Sequence, residues 1–181
     1  MGEGVHVYAE INPVVNGQRI EIDYDLVEKE VYWPPMVLSW HETRGGHTIA
    51  RHIDPKIPGM STTLYTKEEM NDIFLATRIW NANNDEPKSV WNSEGAAVGI
   101  ISSTIPKNNT NVVKWLVYND PASETNDHFN YKGSKSNVLG YSLMKVDDKI
   151  GKFEVWDAKI VLRKLNVDGK KSFFIVTSFP T

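Results

Sequence analysis

What most constrains the fold is a change of residue pattern late in the chain. Val138 to Val146, Phe153 to Leu165 and Ser172 to Phe179 are dense in β-branched and aromatic residues, and Asp168-Gly169 supplies a tight turn between the last two. Such residues suit a pleated, half-buried surface, and an Asp-Gly pair between them is a hairpin signal. The segments before Val138 instead carry helical spacing. Strands gathered behind helices, with no alternation of the two, predict an α+β fold with a C-terminal antiparallel sheet.

The helical signals are local. Thr66-Lys67-Glu68-Glu69 is a capping box, and Met70, Ile73, Phe74 and Thr77 follow at helical spacing, which predicts a helix to about Trp80 with Arg78 near its C-terminal end. Trp91 to Ile105 reads as a second helix ended by Pro106, and Asn111 to Tyr118 as a short third. Asn119 to Asn137 is polar without apolar period, which predicts a surface loop or a flap. At the other end, residues 5–11 alternate, Asn16-Gly17 signals a turn, and alternation resumes in Arg-Ile-Glu-Ile-Asp-Tyr, so a hairpin is expected up to Pro34-Pro35. This divides the chain into a strand-rich extension, 1–37, and a main domain, 38–181.

No cysteine is present, which removes disulfides, a thiol nucleophile and every cysteine-containing zinc site. The core alone must hold the fold, and six Trp, seven Tyr and six Phe can furnish it. No run of eighteen apolar residues and no basic start followed by an apolar stretch occurs, so neither a membrane-spanning segment nor an export signal is expected. The formal net charge of −3 is unevenly spread: the first forty residues are strongly acidic, and the rest is mildly basic.

Function is concentrated in His41-Glu42-Thr43-Arg44-Gly45-Gly46-His47-Thr48-Ile49-Ala50-Arg51-His52-Ile53, which holds three of the five histidines. Imidazoles that titrate near neutrality beside guanidinium groups are the chemistry of a phosphate site. Gly45-Gly46 breaks the chain, and Thr48 to Ile53 reads as a short helix stopped by Pro55. His47 and His52 are five apart and diverge on a regular helix, a restriction that lapses if the helix begins after His47. The remaining histidines read more simply, His6 as a strand residue and His128 as a solvated loop residue.

The order of these blocks resembles a known family. His41-Glu42, Gly45-Gly46-His47-Thr48-Ile49, Arg51-His52-Ile53, the helix with Arg78, Val112-Val113-Lys114-Trp115-Leu116, Ile160-Val161-Leu162-Arg163 and Ile175-Val176-Thr177-Ser178-Phe179-Pro180 are similar to the RNase A-like C-terminal toxin domain of bacterial contact-dependent growth inhibition and related polymorphic toxin systems. The resemblance covers about Leu38 to Pro180. It implies a kidney-shaped, disulfide-free, metal-independent ribonuclease that needs no cofactor and is delivered from the producer's surface into the cytoplasm of a neighbouring bacterium. A cognate immunity protein would neutralise it in a one-to-one complex. Carried over residue by residue, the family's site falls on His52, with His47 as runner-up, on Arg78 and on Thr177; the tyrosine position holds Phe179, which has no hydroxyl.

The chemistry can be checked against the residues. Cleaving RNA without a metal needs a base for the ribose 2′-OH, an acid for the departing 5′-oxygen, and donors or cations on the phosphorane oxygens. His52 can act as base or acid, Arg78 can meet the charge bidentately and Thr177 can donate a hydrogen bond, with Arg44, Arg51 and Phe179 as substrate contacts. His47 is the first candidate for the second proton-transfer group, ahead of Tyr131, Tyr141 and His128. Three other readings compete: a related metal-independent endoribonuclease fold, a zinc-dependent hydrolase using His41, His47 and His52, and a non-catalytic protein-binding module. The histidine spacings of six and five do not give the i, i+4 pair that a helix offers one metal.

Overall fold

The computed structural model describes residues 14–15, 18–19, 21–60, 63–71, 73–81, 87–117 and 128–181. The sequence reading of residues 5–11, with His6, and of most of the polar stretch 119–137 lies outside them. Helices α1 (Tyr24–Glu30), α2 (Leu38–Glu42), α3 (Thr48–His52), α4 (Phe74–Asn81), α5 (Glu94–Lys107) and α6 (Asn109–Val117) precede the long strands, and the architecture is α+β as expected. Strands β3 (Leu64–Tyr65), β4 (Lys88–Trp91), β6 (Gly140–Val146) and β7 (Lys149–Val155) form a sheet in the order β3-β7-β6-β4. Strands β5 (His128–Tyr131), β8 (Ala158–Val167) and β9 (Lys170–Pro180) form a second in the order β5-β8-β9, and every described pairing between strands is antiparallel. Near the N-terminus β1 (Val14–Val15) pairs with β2 (Gln18–Arg19), while the turn signal Asn16-Gly17 lies outside the described residues.

Two buried clusters hold these layers together. The larger joins Val27, Leu38, Trp91, Ile101, Val112, Ile160, Leu162, Phe173 and Ile175; the smaller joins Ile57, Met70, Ile73, Ile79, Val90, Leu143 and Ile150. Each fully buried aliphatic or aromatic side chain contributes about 1.5–3 kcal/mol of hydrophobic stabilisation, so a cysteine-free chain of this length has the core it needs. The boundary expected between residues 37 and 38 falls inside the larger cluster, because Ile22, Val27 and Val31 pack with Leu38 and Ile175 in it. Tyr32 N–H donates to the Lys171 carbonyl at 2.9 Å, and Ser172 Oγ donates to the Tyr32 carbonyl at 2.8 Å.

Five local predictions need correction. The alternation in Gln18–Trp33 gives way to α1, because the Asp23 carboxylate accepts the Leu26 N–H at 3.0 Å and caps a helix whose Val27 is buried. The capping box does form, with Thr66 N–H on Glu69 Oε2 at 2.7 Å, but it closes a turn, and the helix starts only at Phe74. Trp91 ends strand β4 where a helix was expected; the real N-cap is Ser93, whose side chain accepts the Ala96 N–H, and Pro106 lies within the last turn of α5. Phe153–Leu165 is two strands, β7 and β8, and His128 is not a loop residue but opens β5 opposite Val161. The Asp168-Gly169 turn is as predicted, both residues having positive φ (51° and 81°). Among the described residues no helix is long and apolar enough to cross a membrane.

Candidate active site

Strand β9 is the edge of its sheet, and its outer backbone groups would be unpaired without a cover. The histidine-rich stretch supplies it. His41 Nδ1 accepts the Ile175 N–H at 3.2 Å, His47 N–H donates to the Val176 carbonyl at 2.8 Å, and Thr48 Oγ1 accepts the Ser178 N–H at 2.8 Å. Gly46 must pass so close to the strand that an added Cβ would lie 2.6 Å from the Ile175 carbonyl oxygen, and Gly45 adopts φ +95°. Both conformational demands single out glycine. Glu42 Oε1 accepts the Ile49 N–H at 2.8 Å and thereby caps α3.

A bulge in β9 sorts the side chains. Val161 faces Thr177 and Leu162 faces Ile175, which leaves Val176 as the extra residue. Ile175 and Ser178 can therefore both lie buried on one face although they are three apart, and Thr177 and Phe179 take the other. On that other face Phe179 stacks against the His52 ring, 5.3 Å between centroids and 29° between planes. His52 is fixed from its second side by the Ser89 carbonyl, 2.7 Å from Nδ1. A carbonyl only accepts, so Nδ1 carries the proton and Nε2 is left as the ring's proton acceptor.

His52 lines an open cavity of about 500 Å³ with Arg51, Arg78, Lys88, Ser89, Ser142 and Phe179, and Pro87, Pro180 and Thr181 also border it. Burial holds His52 at about 4, below the ordinary 6.5; the Ser89 carbonyl opposes this, and the charges of His47, Arg78 and Arg51 reinforce it. His47 is also pushed below 6.5, by burial first and then by Arg51 and Arg78, against the pull of Glu42 and the Gly45 carbonyl. Its position is possible because His47 is the non-helical residue before α3 (φ −150°, ψ 27°), so the two histidines are not bound to the divergent faces of one helix. His47 and His52 thus both feel the charges of Arg51 and Arg78, although His47 is not among the residues that line the cavity. Thr177 stands on the Phe179 face with its Oγ1 buried and without a hydrogen-bond partner among the described residues.

Other candidates are placed elsewhere. Arg44 turns back along α2, its guanidinium carbon 3.6 Å from the Trp40 ring centroid and Nη1 donating to the Trp40 carbonyl at 2.9 Å, and it does not line the cavity. Tyr141 lies under the Lys152 ammonium (4.0 Å to its centroid), Tyr131 packs against the larger core, and His128 is on β5. His41, which the zinc reading needs, is 1% exposed and has Nδ1 committed to Ile175. Among the described residues no group of three His, Asp or Glu is disposed to hold a metal ion. Sequence reasoning missed Ser89, which acts through a backbone carbonyl and so leaves no side-chain signal, and Lys88 and Ser142, which sit in no motif.

Residues 46–180 match the family described as the bacterial CdiA-CT RNAse A domain. Among solved structures, a chain of the CdiA-CT/CdiI complex from Y. kristensenii 33638 is 16% identical with a TM-score of 0.45, the match covering 65% of this chain and 94% of that one. Comparison with curated proteins gives no match.

Proposed function

Since the chain belongs to the family of bacterial CdiA-CT RNase A domains, which match it from residue 46 to 180, we propose that it is a toxin endoribonuclease that cuts RNA without a metal. The observation that carries the mechanism is the clamped His52 ring. Its Nδ1–H is held by the Ser89 carbonyl, its face rests on Phe179, and its low proton affinity keeps it neutral at pH 7. Nε2 is then ready to take the proton of a ribose 2′-OH. The 2′-oxygen bonds to phosphorus, the P–O5′ bond breaks, and O5′ takes a proton from the His47 imidazolium. The products are a 2′,3′-cyclic phosphate and a 5′-hydroxyl. An attacking group already tethered beside the phosphate needs no metal to activate water.

Arg78 and Arg51 border the same cavity, and Arg78 is the partner for the phosphorane oxygens, since a planar guanidinium meets two of them at once. Thr177 Oγ1 is a donor in search of an acceptor. Phe179 keeps the ring contact on His52, and no hydroxyl at that position takes part. A bound phosphate favours protonated imidazole, which lifts His47 toward the range where it can serve as the acid.

Family membership also carries the biological part of the proposal: delivery into the cytoplasm of a target bacterium, and a cognate immunity protein that binds one to one in the producer. The cations of the cavity call for an acidic patch on that partner, which would steer and speed association. The test is a gel of total RNA incubated with the purified protein and with His52→Ala, each with and without EDTA. Degradation by the parent that survives EDTA and disappears in the variant is expected. Degradation abolished by EDTA, or no degradation by folded parent protein at high concentration, would end this reading in favour of a metal enzyme or a binding module.

A further inference from the structure

The sheet β3-β7-β6-β4 has two faces, and residues that stand opposite one another in its ladders share a face. Val90, Leu143 and Ile150 lie on the first, buried in one cluster with Ile57, Met70 and Ile79. The second face changes character along β6. At one end Gly140 runs beneath β9: an added Cβ would lie 2.7 Å from the Pro180 side chain, and its ladder partner Trp91 donates its Nε1–H to the Ser178 carbonyl at 2.9 Å. Two residues on, Ser142 and its partner Ser89 line the cavity that holds His52. Two further on, Met144 stands opposite Gly151, and Gly151 opposite Leu64. Here the face is open: Leu64 is 48% exposed, and Phe153, directly across from Ser142, is 44% exposed.

The Phe153 ring leans along its own strand onto Gly151. A Cβ at Gly151 would lie 2.5 and 2.8 Å from ring atoms Cε2 and Cζ, so the glycine is what lets the ring rest on the backbone. A ring seated on one side and open on the other is held in place before any ligand arrives, which lowers the ordering cost of a contact. It also lies beside the cavity. Directly opposed residues have their Cβ atoms about 5 Å apart, and the ring then reaches over Gly151, two residues or about 7 Å along the strand. An RNA strand that leaves the cavity over Ser142 meets this ring with the nucleotide next to the bond being cut. Every base has a π-face, and an apolar ring stacks on it without reading the base edge.

Resting on the ribonuclease reading above, we propose that Phe153 is a stacking platform for the unpaired base that flanks the scissile step. It positions the substrate and takes no part in the proton transfers. Continuity of its face with the cavity assigns it to RNA rather than to a protein partner. Bases inside a duplex are already stacked on both sides, so the platform selects single-stranded RNA.

The experiment measures kcat/KM on a dinucleoside monophosphate, on the two trinucleotides that extend it by one nucleotide at the 5′ or the 3′ end, and on the same trinucleotides with an abasic sugar at the added position. The abasic versions keep the extra phosphate and lose only the base. The parent should cut one of the two full trinucleotides better than its abasic version. Phe153→Ala should reduce that preference about tenfold, within the range for removing one base–aromatic stack, through KM rather than kcat. Phe153→Trp should keep the preference. Phe153→Leu, which leaves an apolar cover on Gly151 but no ring, should lose most of it. Equal loss on the dinucleotide and the trinucleotides, full rescue by leucine, or a parent that does not distinguish base from abasic sugar overturns the platform while leaving the ribonuclease reading intact. A Phe153→Ala variant with the parent's preference overturns it too, and leaves the open face to a protein partner. A parent that cuts none of these substrates and no total RNA overturns both.

Discussion

His41 gives the account a quantitative handle that does not depend on activity. Its Nδ1 must be unprotonated to accept the Ile175 N–H, and the ring is 1% exposed, so the folded protein resists charging it. Burial is the main cause, the Arg44 charge adds to it, the Pro35 carbonyl opposes it, and the group is held at about 4 against 6.5 in the ordinary state. A depressed folded value means that the unfolded chain binds the proton first. Stability is whole above pH 6.5, falls as the pH drops from 6.5 toward 4, and levels off below 4. The full loss is about 3 kcal/mol and the loss between pH 7 and 5 about 2 kcal/mol, a large part of the 5–15 kcal/mol of a typical domain. His52 titrates over the same window, so the clean measurement is a difference. His41→Asn retains an acceptor for Ile175 but cannot titrate. Denaturant unfolding at pH 7 and pH 5 should show the parent losing about 2 kcal/mol more than this variant. Equal losses would mean that His41 is not charged on unfolding in this window, and the edge-capping role assigned to its Nδ1 would fail. His41→Ala, which strands a buried N–H, should cost about 1–3 kcal/mol at pH 7 for the lost partner alone.

Four further outcomes follow from the same geometry. His52→Ala should lower the cleavage rate about 100- to 10,000-fold, read by single-turnover cleavage of a labelled RNA with circular dichroism to confirm the fold; a rate near the parent's sinks the assignment. With His52 as base at about 4 and His47 as acid displaced below 6.5, kcat/KM should peak between these values and decline toward neutral pH, and an optimum above pH 7 would contradict those roles. Arg78→Ala should cost about 10- to 100-fold in kcat and Arg78→Lys clearly less, whereas an unaffected Arg78→Ala would pass the role to Arg51. Removing residues 1–35 takes Ile22, Val27 and Val31 from the larger core, a loss on the order of 5 kcal/mol; a truncate that melts like the parent would show that this segment is an appendage after all.

The fold class was legible because its signals are local: the strand-rich tail and the Asp168-Gly169 turn are read from neighbours in sequence. What misled was non-local pairing. The four residues of β4 become a strand only because Gly140–Leu143 lie beside them, some fifty positions on, and nothing within Lys88–Trp91 announces this. Residues 20–25 alternate like a strand, but a cap at Asp23 and burial of Val27 against a distant helix and strand decide for a helix. The histidine-rich stretch divides between two duties. His41 and Thr48 satisfy the edge of β9, whose partner groups are 134 and 130 residues away, while His52 lines the cavity and His47 feels the charges of its Arg51 and Arg78. Composition cannot separate those duties; the carbonyl or amide each one meets does.

The central claim is that the RNA's own 2′-hydroxyl attacks, with the clamped His52 taking its proton. The most direct test is a DNA oligonucleotide carrying a single ribonucleotide, incubated in EDTA with the parent protein, with mass analysis of the products. One cut is expected, immediately 3′ of the ribonucleotide, leaving a 2′,3′-cyclic phosphate and a 5′-hydroxyl, and none in the all-deoxy strand or with a 2′-O-methyl group at that position. Cleavage of the all-deoxy strand, or a cut leaving a 5′-phosphate and 3′-hydroxyl, would contradict it.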